Sequence, residues 1–180
     1  MDTIDPFAHV PAPLRAAILA RGFEKLTAVQ EAVLSAESEG RNLRISSQTG
    51  SGKTLALGLR LASDLLPDVE KEGSTSAANG PRALLITPTR ELAVQVAAEL
   101  RWLLAQVPGV TVEVVTGGSD IVREKRALKK APAVLVGTPG RLLDHIRSRT
   151  LNCTSIRQVV LDEADQMLDM GFREELESIV

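Results

Sequence analysis

Short, mainly apolar runs alternate with longer amphipathic runs from residue 42 to the end of the chain. An apolar run is typical of a strand in a parallel sheet, and an amphipathic run is typical of a helix packed on that sheet. The alternation therefore predicts an α/β fold, with a mostly parallel sheet covered by helices on both faces. The predicted strands are residues 43–46, 83–86, 111–115, 133–136 and 159–161, and the predicted helices are 14–21, 28–37, 53–66, 91–104, 121–130 and 141–146.

The turn at residues 46–54, which reads SSQTGSGKT, has the layout of a phosphate-binding loop between a strand and a helix. Its glycines let backbone N–H groups approach phosphate oxygens, and the helix N-terminus favours an anion. Lys53 would neutralise the terminal phosphates, and Thr54 would supply an oxygen to Mg²⁺. The alternative is an ordinary Gly/Ser turn that caps a helix, and Ser47 stands where the strict pattern has glycine. The nucleotide contacts predicted here are Gln48, Thr49, Gly50, Ser51, Gly52, Lys53 and Thr54.

Two adjacent carboxylates follow the predicted strand at residues 159–161. Asp162 would hold Mg²⁺, and Glu163 would orient and deprotonate an attacking water, so that both act with Lys53 in hydrolysis. Carboxylates at this place are also common as helix N-caps, which is the alternative interpretation. The phosphate loop upstream favours hydrolysis.

Composition restricts the class of protein. The chain has 180 residues, enough for one domain with a core, and its 2% aromatic content requires that core to be aliphatic. A single cysteine excludes an internal disulfide, and the N-terminus has no signal-peptide pattern, so we predict a cytoplasmic protein. A net charge of −2 argues against a broad basic face, and the charged run at residues 123–130 is interpreted as a solvated helix face. Residues 67–81 have the small polar composition of a flexible loop.

Several segments, in order along the chain, resemble the motifs of the DEAD-box RNA helicases. They are SQTGSGKT at residues 47–54, PTRELAVQ at 88–95, TGG at 116–118, TPGR at 138–141 and DEADQMLDMGF at 162–172. Upstream, GFEKLTAVQ at residues 22–30 resembles the Q motif, with Leu26 and Ala28 where the family has prolines. The resemblance covers nearly the whole chain and implies the N-terminal RecA-like, ATP-binding domain of such a helicase.

The resemblance implies ATP and Mg²⁺ as cofactors. The amide of Gln30 would present a donor and an acceptor to adenine, which favours ATP over GTP. Phe7 would stack on the base, and Phe23 and Thr27 belong to the same motif region, although Phe23 could equally be a core residue. Thr27 is also the predicted N-cap of its helix.

The resemblance also implies sequence-nonspecific contacts to the RNA backbone, made by turns at the carboxyl ends of strands. As alternatives, the two threonines in these turns could cap helices, and the two arginines could pair with nearby carboxylates. The predicted RNA contacts are Pro88, Thr89, Arg90, Glu91, Gly117, Gly118, Thr138, Pro139, Gly140 and Arg141.

Members of this family continue beyond the DEAD segment to a Ser-Ala-Thr motif and a second RecA-like domain. We therefore expect this chain to be the N-terminal piece of a longer helicase, with little activity alone. Residues 1–41 would form a helical segment with the Q motif, and residues 42–180 an incomplete RecA-like domain. The implied function is an RNA-dependent ATPase that unwinds short duplexes locally. The alternative is a non-catalytic, helicase-like module that binds RNA or a protein partner.

Overall fold

The computed structural model describes residues 5–35, 40–46, 50–71 and 79–180. In those ranges, every helix is too short or too polar to cross a membrane. Contacts divide the chain into two compact units. The first contains Met1–Ser74 and Glu99–Pro108, and the second contains Thr75–Ala98 and Gly109–Val180. The predicted division at residues 41 and 42 stays a prediction.

The first unit is helical. It contains α1 (Ala12–Ala20), α2 (Ala28–Leu34) and α3 (Lys53–Lys71), and α2 packs on α3. Gly58 of α3 allows a close approach, because a Cβ there would lie only 2.6 Å from Cδ2 of Leu103. The aliphatic core expected from the composition is present in Leu14, Ile18, Leu59, Leu100, Leu103 and Leu104, all buried.

The second unit is built on a parallel sheet of four strands, β1 (Ala83–Ile86), β2 (Val112–Val115), β3 (Val134–Gly137) and β4 (Gln158–Leu161). Their order across the sheet is β2-β3-β1-β4. A helix, α4 (Arg90–Leu103), follows β1 and ends within the first unit. The remaining helices are α5 (Ile121–Leu128), α6 (Pro139–Arg147), α7 (Ala164–Asp169) and α8 (Arg173–Ile179). The predicted α/β class with a parallel sheet is therefore confirmed.

The central strands of this sheet are buried throughout. All four residues of β1 and all four of β3 are buried, as expected for strands that are covered on both faces. On one face, side chains of β1, β2 and β3 pack with those of the helices in a single cluster. This cluster contains Leu84, Ile86, Val115, Leu128, Leu135, Leu142, Leu151, Met167 and Leu176.

Two local predictions differ from the structure. The predicted strand at residues 43–46 is wrong, since these described residues belong to no strand and Leu43 is 42% exposed. An apolar run becomes a strand only when a neighbouring backbone pairs with it, which composition does not ensure. The first five residues of the predicted loop at 67–81 continue α3, because each residue added to an existing helix gains a hydrogen bond. Residues 72–78 of that loop lie outside the described residues.

Candidate functional site

The phosphate loop is described from Gly50 onward, and Gln48 and Thr49 lie outside the described residues. Gly50 and Gly52 have φ values of +80° and +86°, in the left-handed region that favours glycine. Helix α3 begins directly afterwards at Lys53, and Ala56 N donates to Gly52 O at 3.0 Å. A Cβ at Gly52 would also collide with Nε2 of Gln30. The left-handed backbone at position 52 therefore favours glycine, and an alanine there would in addition have to displace the Gln30 amide.

The first turn of α2 is hydrogen-bonded to this loop. Gln30 is 1% exposed; its Oε1 accepts from Thr27 N at 2.9 Å, and its Nε2 donates to Gly52 O at 3.2 Å. Thr27 is the N-cap residue of α2, as predicted, and its hydroxyl donates to Ser51 O at 3.0 Å. An amide has two donor hydrogens and two lone pairs, so the Gln30 amide keeps capacity for a base. Because Gln30 is buried, the atoms that cover its amide must move before adenine can reach it.

The two predicted aromatic contacts differ in exposure. Phe7 is 3% exposed and Phe23 is 36% exposed, so Phe23 is not a core residue. Phe23 stacks on Trp102, with ring centroids 6.4 Å apart. The Arg21 guanidinium lies over the Trp102 ring, 3.8 Å from its centroid, and pairs with Glu99 at 2.9 Å. Both phenylalanines line an open cavity of about 600 Å³ that also contacts Asp5, Pro6, Arg15, Leu19 and Glu24. Stacking of a base on Phe7 stays a prediction.

The carboxylate pair follows β4 directly. Asp162 N donates to Ile86 O at 3.0 Å, which extends the pairing of β4 with β1. Glu163 has φ +53°, a left-handed value that costs energy in a residue with a side chain and is common at functional sites. Glu163 is the N-cap residue of α7, yet its side chain makes no capping hydrogen bond within the described part of the chain. Glu163 therefore occupies the N-cap position without a capping bond from its side chain, and its role in hydrolysis stays a prediction.

The three predicted RNA-contact turns follow β1, β2 and β3, whose carboxyl ends lie at one edge of the sheet. Arg90 of the first turn lies beside the second, because a Cβ on Gly118 would be 3.3 Å from Arg90 Nη1. Arg141 of the third turn donates from Nη2 to Ser119 O at 3.4 Å. The structure therefore brings all three turns together. Arg90, Glu91, Gly117 and Gly118 are exposed; Pro88 and Pro139 are buried; Thr89, Thr138, Gly140 and Arg141 are half-buried.

Some of these residues take the alternative roles, which are helix capping for the threonines and ion pairing for the arginines. Thr89 Oγ1 accepts from Leu92 N at 3.2 Å, so this hydroxyl caps the start of α4. Thr138 is the N-cap residue of α6, but its side chain makes no capping bond to any described residue. Arg141 lies 3.6 Å from a carboxylate oxygen of Glu124, as the pairing alternative predicted.

Glu124 is a residue that the sequence-based interpretation missed. The run at 123–130 was expected to be a solvated face, but Glu124 is 4% exposed, because α5 places it one turn from buried Leu128. Its Oε1 accepts from Thr116 N at 2.9 Å and from the Ser119 hydroxyl, and its Oε2 lies 2.8 Å from His145 Nε2. The i, i+4 spacing of Glu124 and Leu128 was the available signal.

The charge on Glu124 is compensated by its donors. Burial raises the pKa of Glu124, but hydrogen bonds from Ser119, His145 and Thr116 and the nearby Arg141 charge outweigh burial and hold the pKa below its ordinary value. The carboxylate is therefore ionised and acts only as an acceptor, so His145 Nε2 must carry a hydrogen.

Known proteins resemble this chain over almost its whole length. The ATP-dependent RNA helicase CshA of Listeria monocytogenes is 48% identical over 159 residues, which are 88% of this chain and 29% of that protein. The DEAD-box ATP-dependent RNA helicase CshA of Bacillus licheniformis is 43% identical over 172 residues, 96% of this chain and 33% of that protein. The chain thus spans 29–33% of the length of these curated relatives.

A solved structure supports the same comparison. The RNA helicase Prp28 from Chaetomium thermophilum, bound to ADP, superposes with a TM-score of 0.84 at 34% identity, over 100% of this chain and 43% of the other. The family model of the DEAD/DEAH box helicases matches residues 27–180. This match includes the phosphate loop, the three turns at the sheet edge and the carboxylate pair. The chain belongs to the DEAD/DEAH box helicase family.

Proposed function

We propose that this chain is the ATP-binding domain of a DEAD-box RNA helicase, which couples ATP binding and hydrolysis to RNA binding and local duplex unwinding. The observation that carries the proposal is the phosphate loop: left-handed glycines at 50 and 52 directly precede α3 in a chain whose family match covers residues 27–180. Such a loop suits an anion, because backbone N–H groups and a helix N-terminus are available together. A second RecA-like domain is part of the proposal.

The nucleotide would be held by residues of the phosphate loop and of the α2 turn. Lys53 supplies the cation for the terminal phosphates, and Gln30 accounts for a preference for adenine. Thr54 and Asp162 each carry an oxygen atom of the type that Mg²⁺ prefers, and we propose both as its ligands. Mg²⁺ held by these residues would neutralise phosphate charge. Glu163 acts on the attacking water as general base.

RNA would bind at the sheet edge where the three turns meet. Exposed Arg90 and the open backbone of Gly117 and Gly118 offer a guanidinium and N–H groups to phosphate oxygens. These donors read no base edges, so the proposed substrate is RNA of any sequence that fits. A few oriented donors also reconcile RNA binding with the net charge of −2. A cytoplasmic location is part of the same proposal.

The test is RNA-stimulated ATP hydrolysis by the natural full-length protein and its Glu163→Gln variant. The glutamine keeps the shape but cannot accept the proton, so turnover is expected to fall by about 10²-fold or more, with ATP affinity unchanged. Asp169→Asn is the matched control, because it also replaces a carboxylate with an amide, at an exposed residue at the end of α7. It should keep wild-type turnover. Normal turnover by Glu163→Gln would remove that residue as base. RNA binding without any turnover in the wild type would favour the non-catalytic module instead.

A further inference from the structure

One buried side chain joins two of the proposed RNA-contact turns. Glu124 holds the β2–α5 turn through Thr116 N and the Ser119 hydroxyl, which flank Gly117 and Gly118. Its other oxygen faces α6, the helix that begins with the third turn, through His145 at 2.8 Å and Arg141 at 3.6 Å. The two turns are therefore connected through a single carboxylate.

Separating the two turns costs free energy because the Glu124 charge that joins them is buried. A buried carboxylate is costly unless donors surround it, so displacement of either turn would leave that charge undercompensated. Glu124 and His145 are 4% and 0% exposed, which prevents water from replacing a lost donor. Any movement of the β2–α5 turn away from α6 is thus opposed by this network.

We propose that Glu124 is a positioning residue for RNA binding, which fixes Gly117, Gly118 and Arg141 in one arrangement that fits an RNA backbone. The proposal rests on the proposed function. Glu124 itself does not contact RNA, since it lies beneath the turn and its carboxylate oxygens face protein donors.

A positioning role and a purely electrostatic role for Glu124 predict opposite changes in RNA affinity when its carboxylate is removed. A carboxylate near RNA repels phosphates, so its removal alone would strengthen RNA binding. If Glu124 positions the turns, its removal weakens RNA binding in spite of the favourable change in charge. The sign of the change therefore separates the two roles.

The experiment measures binding of a fluorescent single-stranded RNA by anisotropy, in the natural full-length protein with a non-hydrolysable ATP analogue. Glu124→Ala is expected to weaken RNA affinity by about fivefold or more, while KM for ATP and kcat at saturating RNA stay unchanged. Asp144→Ala is the matched control, because it removes an exposed carboxylate from α6 beside His145. It should leave RNA affinity unchanged or slightly raised.

Glu124→Gln should restore most of the affinity. Its amide oxygen can accept from Thr116 N and the Ser119 hydroxyl, and its NH₂ can donate to His145 Nε2 in the other ring tautomer. The same NH₂ replaces the oxygen that faces Arg141, so the part of the effect that depends on Arg141 is not restored. In that tautomer the ring hydrogen lies on Nδ1, which has no hydrogen-bond partner among the described residues, so the exchange breaks no bond at Nδ1 but leaves a buried donor unpaired. Recovery to within about threefold of wild type would support positioning by shape and hydrogen bonding.

Ser119→Ala keeps the test decisive if Glu124→Ala does not fold. It removes one donor from a half-buried surface turn and is expected to weaken RNA affinity by about two- to threefold. Unchanged or tighter binding by Glu124→Ala, or unchanged binding by Ser119→Ala, would overturn the role of Glu124 alone. Failure of the wild-type protein to bind RNA would instead overturn the proposed function, and this inference with it.

Discussion

Alanine at Gly52 is expected to destabilise the chain more than alanine at Gly50, although both glycines lie in the same loop. Their φ values are +86° and +80°, so the strain of a left-handed backbone is nearly the same at both. That strain costs a residue with a side chain roughly 1–2 kcal/mol. At Gly50 this backbone strain is the only cost expected from alanine, since a Cβ there would meet no described atom within 4 Å.

Gly52→Ala has a second cost. The added Cβ would collide with Nε2 of Gln30 and lie 3.3 Å from its Cδ, so the amide must move and break its hydrogen bond to Gly52 O. Gln30 is 1% exposed, so water does not replace the lost partner. Loss of a buried hydrogen bond costs about 1–3 kcal/mol. The expected loss of stability is therefore about 2–5 kcal/mol for Gly52→Ala and about 1–2 kcal/mol for Gly50→Ala.

The assay is urea unfolding of the nucleotide-free chain, followed by the fluorescence of its one tryptophan, Trp102, which lies in the same compact unit as the loop. Both glycine variants are also made in a Gln30→Ala background. There the excess cost of Gly52→Ala over Gly50→Ala should disappear, because no amide remains to collide. Equal destabilisation by the two variants, or an excess that persists without the Gln30 amide, would refute the reasoning.

Other variants test the remaining parts of the site. Lys53→Ala should abolish ATP binding in titration calorimetry while the circular dichroism spectrum stays unchanged, because the phosphates lose their cation. The pKa of Glu124 is lowered from 4.5, so its stabilising contribution is present above pH 4.5 and is lost as pH falls through the folded pKa. The stability difference between wild type and Glu124→Gln, from urea unfolding, should therefore shrink below about pH 4.5. Arg21→Ala should lower the free energy of unfolding by about 0.5–1 kcal/mol through loss of the exposed cation–π contact with Trp102.

Some elements followed from the sequence because they depend on local chemistry. The strand at 83–86 was predicted with its exact bounds, since a run of four apolar residues between a polar segment and a helix is typical of a buried strand. The start of α3 at Lys53 was equally predictable, because the Gly-Lys-Thr pattern places a helix directly after the glycine-rich turn. The apolar run at 43–46 had the same composition as a strand, but composition contains no information about a pairing partner.

The sequence by itself determined the α/β class, four of the strands and the family motifs, because periodicity and turn chemistry are properties of neighbouring residues. Only the tertiary structure decided which distant groups meet. Gln30 bonds to Gly52, and Glu124 bonds to Thr116 and His145, because packing places one element against another. A glutamate in a basic run is expected to be exposed to solvent, but it is buried when its side of the helix packs against other elements. The i, i+4 spacing to Leu128 indicates which face of α5 is buried, but the donors that meet Glu124 there are set by contacts between residues far apart in the chain, which no local pattern encodes.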